Sequence, residues 1–319
     1  MNRSQITQLI LAAGLLVSAT LAGCSTPTSP TGNAAETSSG KLGPGVVDTS
    51  EVTGAIASDP ALAALLPADI KDRGTLVVGS PATFPALNFY AADGTTLVGH
   101  DWDLAVAVAK RLGLRPEHAD IDYAALIPGL KSGRIHTLNA GMSDTAKRQQ
   151  EIDFVDYRMD GVVFLVPEGN PDKVSKPDSL CGLSTAAVTG TITVDRARKW
   201  SDNCVAAGKK PIGLTETEDT SQMQSQLRSG RINFLPGDLA TLSYIATSVN
   251  DGKAFDLIDD EIIDMKPTGF GFSKERKELT TAVQRSLQSL IDDGTYSKIM
   301  KAWNLQDLEV KSSVINGGK

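Results

Sequence analysis

The chain has 319 residues, room for about two ordinary domains, and its 41% hydrophobic and 22% charged residues exclude a disordered or fibrous polypeptide. A formal net charge of -7 argues against a broad basic surface, so nucleic acid is not an expected partner. Three cysteines are too few for a disulfide scaffold, and His100, His118 and His136 lack a Cys or His neighbour at metal-ligand spacing, so neither metal nor cofactor is expected.

Residues 1–24 read as a targeting segment: Arg3, an apolar run from Leu9 to Val17, then Leu21-Ala22-Gly23-Cys24. The run is shorter than the ~20 residues that span a bilayer, which fits a signal peptide and not a permanent anchor. Its last four residues resemble the lipobox of bacterial lipoproteins, which implies that Cys24 becomes the first mature residue, takes a lipid and holds the chain at the outer side of the cell membrane. Residues 25–68 are expected to form a flexible tether and lead-in. Ser25 to Lys41 is rich in Ser, Thr, Pro, Gly and Asn and has little to bury. Gly43 to Ser58 gives no clear signal, and Pro60 to Ile70 predicts a short helix.

From Gly74 onward strand and helix signals alternate, which predicts an α/β fold. Leu76 to Gly79 predicts a strand; Leu104, Val108 and Leu112 share one helix face, which Gly113 ends. Ala124 to Leu130 predicts a second helix, and Ile135 to Ala140 a strand. The chain then repeats itself: Leu130-Lys131-Ser132-Gly133-Arg134-Ile135 returns as Leu227-Arg228-Ser229-Gly230-Arg231-Ile232. Each copy reads as a helix end, a glycine cap and a strand start, so two lobes on one plan are expected. The loops that follow, Ala140 to Ser143 and Pro236 to Asp238, would then lie at strand ends facing a shared cleft.

Several stretches in this order resemble the bacterial extracellular solute-binding proteins, family 3: Phe84-Pro85, Gly99 to Ala105, Leu126 to Leu130, Ala140 to Phe154, Thr189 to Thr191 and Asp292 to Trp303. The resemblance implies a type II periplasmic-binding-protein-like fold, two lobes joined by two crossing strands. It places the first lobe at 69–164 plus 267–310, the second at 165–266, and leaves 311–319 as a tail. It also implies a monomer that hands an amino acid to the permease and ATPase of an ABC transporter.

By the same resemblance, Arg148 grips the ligand carboxylate, with Ser143 and the backbone of Ala140-Gly141 adding contacts. A guanidinium fork suits a carboxylate because two parallel charge-assisted hydrogen bonds fix its orientation. Gly190-Thr191-Ile192 opens a helix whose free N–H groups favour an anion. Asp238 corresponds to the acceptor of the ligand ammonium, although Asp after Gly is also a common helix cap. Phe84 and Tyr123 match positions that stack on either side of the solute. Pro81 and Val188 replace charged residues of some relatives, which points to a neutral ligand.

Asp101 and Asp103 are open to two readings, helix capping or a carboxylate pair for acid/base chemistry or metal, of which capping is preferred. His136 and Asn233 stand where much of the family has Asp, a difference read as local packing. Cys181 and Cys204 resemble a cysteine pair of actinobacterial members, and a disulfide there would stabilise the second lobe by roughly 3 kcal/mol. The main alternative to transport is an enzyme on the same scaffold, similar to cyclohexadienyl dehydratase, which would need a general acid or base in the cleft. A sensor subunit that binds the same solute is the third reading.

Overall fold

The computed structural model describes residue 42 and residues 46–319. The expected signal peptide, Cys24 and the tether over 25–41 lie outside the described residues. Short helices at Ser50–Gly54, Pro60–Ala63 and Ala68–Arg73 lead into the first strand. The second of them starts where Asp59 accepts the Ala61 and Leu62 N–H groups and proline takes the first helical position. Val47, Val52, Ile56 and Leu62 pack on the main core, so the lead-in is part of the folded body from residue 46 onward.

The strands are β1 (Thr75–Ser80), β2 (Thr83–Phe84), β3 (Asn88–Tyr90), β4 (Leu97–Val98), β5 (Arg115–Asp120) and β6 (Thr137–Leu138). They continue as β7 (Ile152–Pro167), β8 (Ser184–Val188), β9 (Gly213–Thr217), β10 (Leu235–Asp238) and β11 (Phe255–Ser273). A mixed sheet runs β10-β7-β11-β6-β1-β5, beside an antiparallel β2-β3-β4 and a parallel β8-β9 pair. β1 is buried along its whole length between parallel neighbours, as its run of Leu, Val and Val requires. The strand expected over 135–140 is only β6, because the Ile135 N–H still points back to the Gly129 carbonyl at the preceding helix end.

β7 and β11 are the long elements, 16 and 19 residues, and they run antiparallel through both halves of the molecule. At one end Ile152, Phe154, Phe270 and Phe272 belong to the large core that holds most of the first half. At the other, Val162, Phe164 and Val166 enter one small core, and Val163, Leu165 and Phe255 enter another on the opposite face. Alternate residues of β7 thus serve two layers, the period expected of a strand covered on both faces. The chain end is folded back on the same strand. Val314 and Asn316 exchange backbone hydrogen bonds with Asp156 and Phe154, and Gly317 and Gly318 donate to the Asp156 and Asp144 carboxylates.

The repeated hexapeptide makes the same corner twice. In each copy the glycine, Gly133 or Gly230, adopts a left-handed φ of 73° or 69° that ends the helix. In each, the next N–H reaches one turn back, from Arg134 to Gly129 and from Arg231 to Gln226. The residue after the repeat then grips the neighbouring strand. His136 Nδ1 accepts the Val77 N–H at 3.0 Å, and Asn233 Oδ1 accepts the Ser184 N–H at 2.8 Å. Burial lowers the His136 pKa and keeps the ring neutral, which that acceptor role needs.

Candidate functional site

A cleft of about 870 Å³, counted with its open mouth, lies between the halves and over the middle of β7 and β11. Of the predicted ligand residues, Phe84, Tyr123, Ala140, Gly141, Ser143, Val188, Thr191, Ile192 and Asp238 line it. Arg148 and Gly190 do not line it but sit together at its edge. One Arg148 N–H group donates to the Ser143 carbonyl at 3.0 Å and another to the Gly190 carbonyl at 3.2 Å, across the gap between halves. The approach is close: a Cβ on Gly190 would come within 3.2 Å of Ala124, and Gly190 has a φ of 80° besides. Thr220 adds a second tie by donating its hydroxyl to the Thr83 carbonyl, so the two halves are in contact.

Arg148 comes to this edge on a four-residue helix, Ala146–Gln149, whose start is capped by the Thr145 hydroxyl. Its guanidinium stands 5.9 Å from the Tyr123 ring centre. Two of its five N–H donors are engaged with carbonyls, and the fork retains donors for an anion. Thr191 turns its hydroxyl back to the Val188 carbonyl and leaves helix Ile192–Ala206 without a side-chain cap, so its first N–H groups stay open beside the cleft.

Asp238 has the capping role that its place after a glycine suggests, and it also faces the cleft. It is the cap of helix Leu239–Ser248, with Oδ1 accepting the Thr241 N–H at 2.8 Å, and it lines the cleft. Its negative charge also bears on the Tyr123 hydroxyl, whose pKa is raised chiefly by burial.

Three expectations are corrected. The Gly141 N–H does not face a ligand, because it donates to Asp101 Oδ2 at 2.7 Å. Asp101 and Asp103 do not cap their helix, which starts at Gly99 without a side-chain cap. Asp101 is instead wholly buried behind the cleft loop between His100 and Gly141, and Asp103 accepts the Trp303 indole N–H at 2.7 Å. Phe84 and Tyr123 touch each other, with centroids 5.8 Å apart and planes at 46°. A solute sandwiched between two rings needs about twice the ~3.5–4.0 Å contact distance, so the pair forms one wall and not two plates.

The cleft also holds residues that the sequence reading did not single out: Asp160, Arg196, Thr241, Asp264 and Thr268. Their charges are paired. Arg158, wholly buried on β7, forms an ion pair with Asp160, and Arg196 donates to Asp264 at 3.1 Å. Burial opposes the Arg158 charge, but Tyr157, Asp101 and Asp238 together hold its pKa above the ordinary arginine value. The signal for the first pair was present: Arg158 and Asp160 are two apart in an apolar strand and so share a face. Cys181 and Cys204 are joined in a disulfide, Cα atoms 5.5 Å apart, at the edge of the core formed by Phe164, Trp200 and Phe234.

Comparison with known proteins gives a consistent result. The profile of the bacterial extracellular solute-binding proteins, family 3, matches residues 76–306. The arginine-binding protein ArgT of Corynebacterium glutamicum is 29% identical over 81% of this chain and 83% of its own. The L-cystine-binding protein TcyA of Bacillus subtilis is 30% identical over 76% and 85%. Among solved structures, an ancestral arginine-binding protein bound to arginine aligns with a TM-score of 0.65 at 32% identity, covering 72% of this chain and 98% of the other. An ancestral amino acid-binding protein, described as a precursor of cyclohexadienyl dehydratase, aligns with a TM-score of 0.66 at 27% identity, covering 74% and 97%.

Proposed function

The chain belongs to the bacterial extracellular solute-binding proteins, family 3, and from that premise we propose that it captures a neutral amino acid in the cleft and delivers it to an ABC transporter permease. The observation that carries this reading is the distribution of charge. Arg148 approaches the cleft from the first half and Asp238 from the second, so a zwitterion between them would bind both halves at once. Its carboxylate would take the remaining Arg148 donors and the open N–H groups in the first turn of helix Ile192–Ala206, and its ammonium the Asp238 carboxylate. Because those contacts exist together only when the halves meet, ligand shifts the population toward closure.

Similar proteins bind arginine and cystine, and the neutral preference here rests on residues of this chain. Val188 lines the cleft, Pro81 is buried away from its lining, and the Arg158–Asp160 and Arg196–Asp264 pairs leave no unpaired counter-charge for a charged side chain. The three cores support lobes at 69–164 plus 267–310 and at 165–266, with β7 and β11 as the hinge. The relatives are named as binding proteins, which favours a receptor over a dehydratase-like enzyme.

The lipobox supports attachment of Cys24 to the outer face of the cell membrane; Cys24→Ala should release the protein or leave it unprocessed, and unchanged membrane retention would contradict the anchor. The binding reading is tested by titration calorimetry on Arg148→Ala and Asp238→Ala. Either change leaves one ligand charge sheltered without its partner, an expected loss of about 2–5 kcal/mol, or roughly 30-fold to several-thousand-fold in affinity. Unchanged affinity in both variants would remove the zwitterion clamp.

A further inference from the structure

Two hydroxyl groups in the cleft have no partner. Thr268 is 1% exposed and Thr241 4%, both line the cleft, and among the described residues neither Oγ1 has a hydrogen-bond partner. A buried hydroxyl left unpaired is costly, and native structures satisfy nearly all such groups. The two come from different elements. Thr268 lies on β11 opposite Arg158 and is bridged to Ser143 of the first half. Thr241 lies in the first turn of helix Leu239–Ser248, where Asp238 takes its backbone N–H and leaves the hydroxyl unused.

We propose that Thr241 and Thr268 form the specificity subsite of this cleft and read a neutral polar group on the ligand side chain, a carboxamide or a hydroxyl. This deepens the amino-acid reading above and rests on it. A threonine hydroxyl offers one donor and two acceptor lone pairs, so two of them suit a group that both donates and accepts. A carboxamide or hydroxyl is such a group; an aliphatic side chain is not, and would leave both hydroxyls buried and unpaired. A charged side chain is disfavoured for a different reason. Asp160 faces Arg158, Arg196 faces Asp264, and Asp238 is assigned to the ligand ammonium, so a further charge would lie in the cleft without its own counter-ion. Leu87, Met223, Leu242 and Ile245 line the same cleft and enclose the aliphatic part of such a ligand.

Calorimetry with glutamine, asparagine, threonine, methionine, leucine, lysine and glutamate tests the proposal on the wild type, Thr241→Val, Thr268→Val and the matching Ser variants. Valine keeps the shape and removes the hydroxyl, while serine keeps the hydroxyl. The wild type should prefer an amide or hydroxyl amino acid over methionine and leucine by about ten-fold or more. Each Val variant should reduce that preference by a similar factor, and each Ser variant should keep most of it. Melting of the unliganded variants separates a folding defect from a loss of selectivity, and the Ser variants carry the test if a Val variant melts early. A wild type that prefers an aliphatic amino acid, or Val variants with undiminished preference, would overturn the subsite while leaving the receptor reading in place; a wild type that prefers a charged amino acid would overturn the subsite and the neutral preference together. A wild type that binds none of these or the other common amino acids would overturn both.

Discussion

The two copies of the Leu-x-Ser-Gly-Arg-Ile corner build the same backbone and then part company. Gly133 and Gly230, Arg134 and Arg231, and His136 and Asn233 make matching turns and matching grips on a neighbouring strand. After the first copy, β6 is two residues long and opens into the loop that ends in Arg148. After the second, β10 runs straight into the Asp238 cap of a helix. One corner therefore presents a cation and the other a carboxylate, from opposite sides of one cleft. A shared frame with exchanged charge is the simplest way for two similar lobes to hold a molecule carrying both charges.

The halves also differ in what holds them. The first has one large continuous core, whereas the second divides its apolar residues between two smaller cores and adds the Cys181–Cys204 bond. Replacing both cysteines by serine should therefore destabilise the second half selectively, by about 3 kcal/mol for a loop of this length. Hydrogen exchange would show faster opening of helix Ile192–Ala206 and β8 with β1 and β5 unchanged; equal loosening of both halves would contradict the division.

A smaller effect separates the two corners. His136→Ala or Asn233→Ala leaves the Val77 N–H or the half-buried Ser184 N–H without its acceptor, at a cost of about 1 kcal/mol. If the corners are equivalent, His136→Asn should recover part of the loss seen with alanine, because the amide oxygen performs the same task in the second copy. Chemical denaturation measures both. An Asn variant as unstable as the Ala variant would show that the corners match in backbone alone.

The smallest effect is a pH slope confined to the first half. Burial pushes the Asp103 and Asp156 carboxyls up to about 7, with Asp144 adding to the effect at Asp156. Between the ordinary carboxylate value near ~4 and that raised value, the folded chain holds protons that the unfolded chain releases. The contribution of these groups to stability is thus greatest at low pH and is lost as pH rises through the window. Asp156→Asn should flatten the dependence of the melting midpoint between about pH 4 and 7; an unchanged slope would assign it to other groups.

The alternation of elements, the repeat, the cap glycines and nine cleft residues were legible in the sequence, because period, turn chemistry and motif order are local properties. What escaped depends on contacts between distant segments. Nothing near Gly141 shows that its N–H belongs to Asp101, 40 residues earlier. Thr241 and Thr268 look like ordinary helix and strand threonines until the fold places both in the lining of one cleft. Phe84 and Tyr123 were identified as a pair, but their 5.8 Å separation is a property of the packed wall and not of either residue.

If one zwitterion joins the two halves, removing a charge from the ligand must weaken binding with the protein itself left unaltered. Calorimetry should compare the best-bound amino acid with its decarboxylated amine and its N-acetyl derivative on the unaltered protein. One site per chain is expected for the amino acid, with a loss of about two orders of magnitude or more for each derivative, in line with the cost of an unpaired sheltered charge. Equal affinity for the amino acid and either derivative would contradict it.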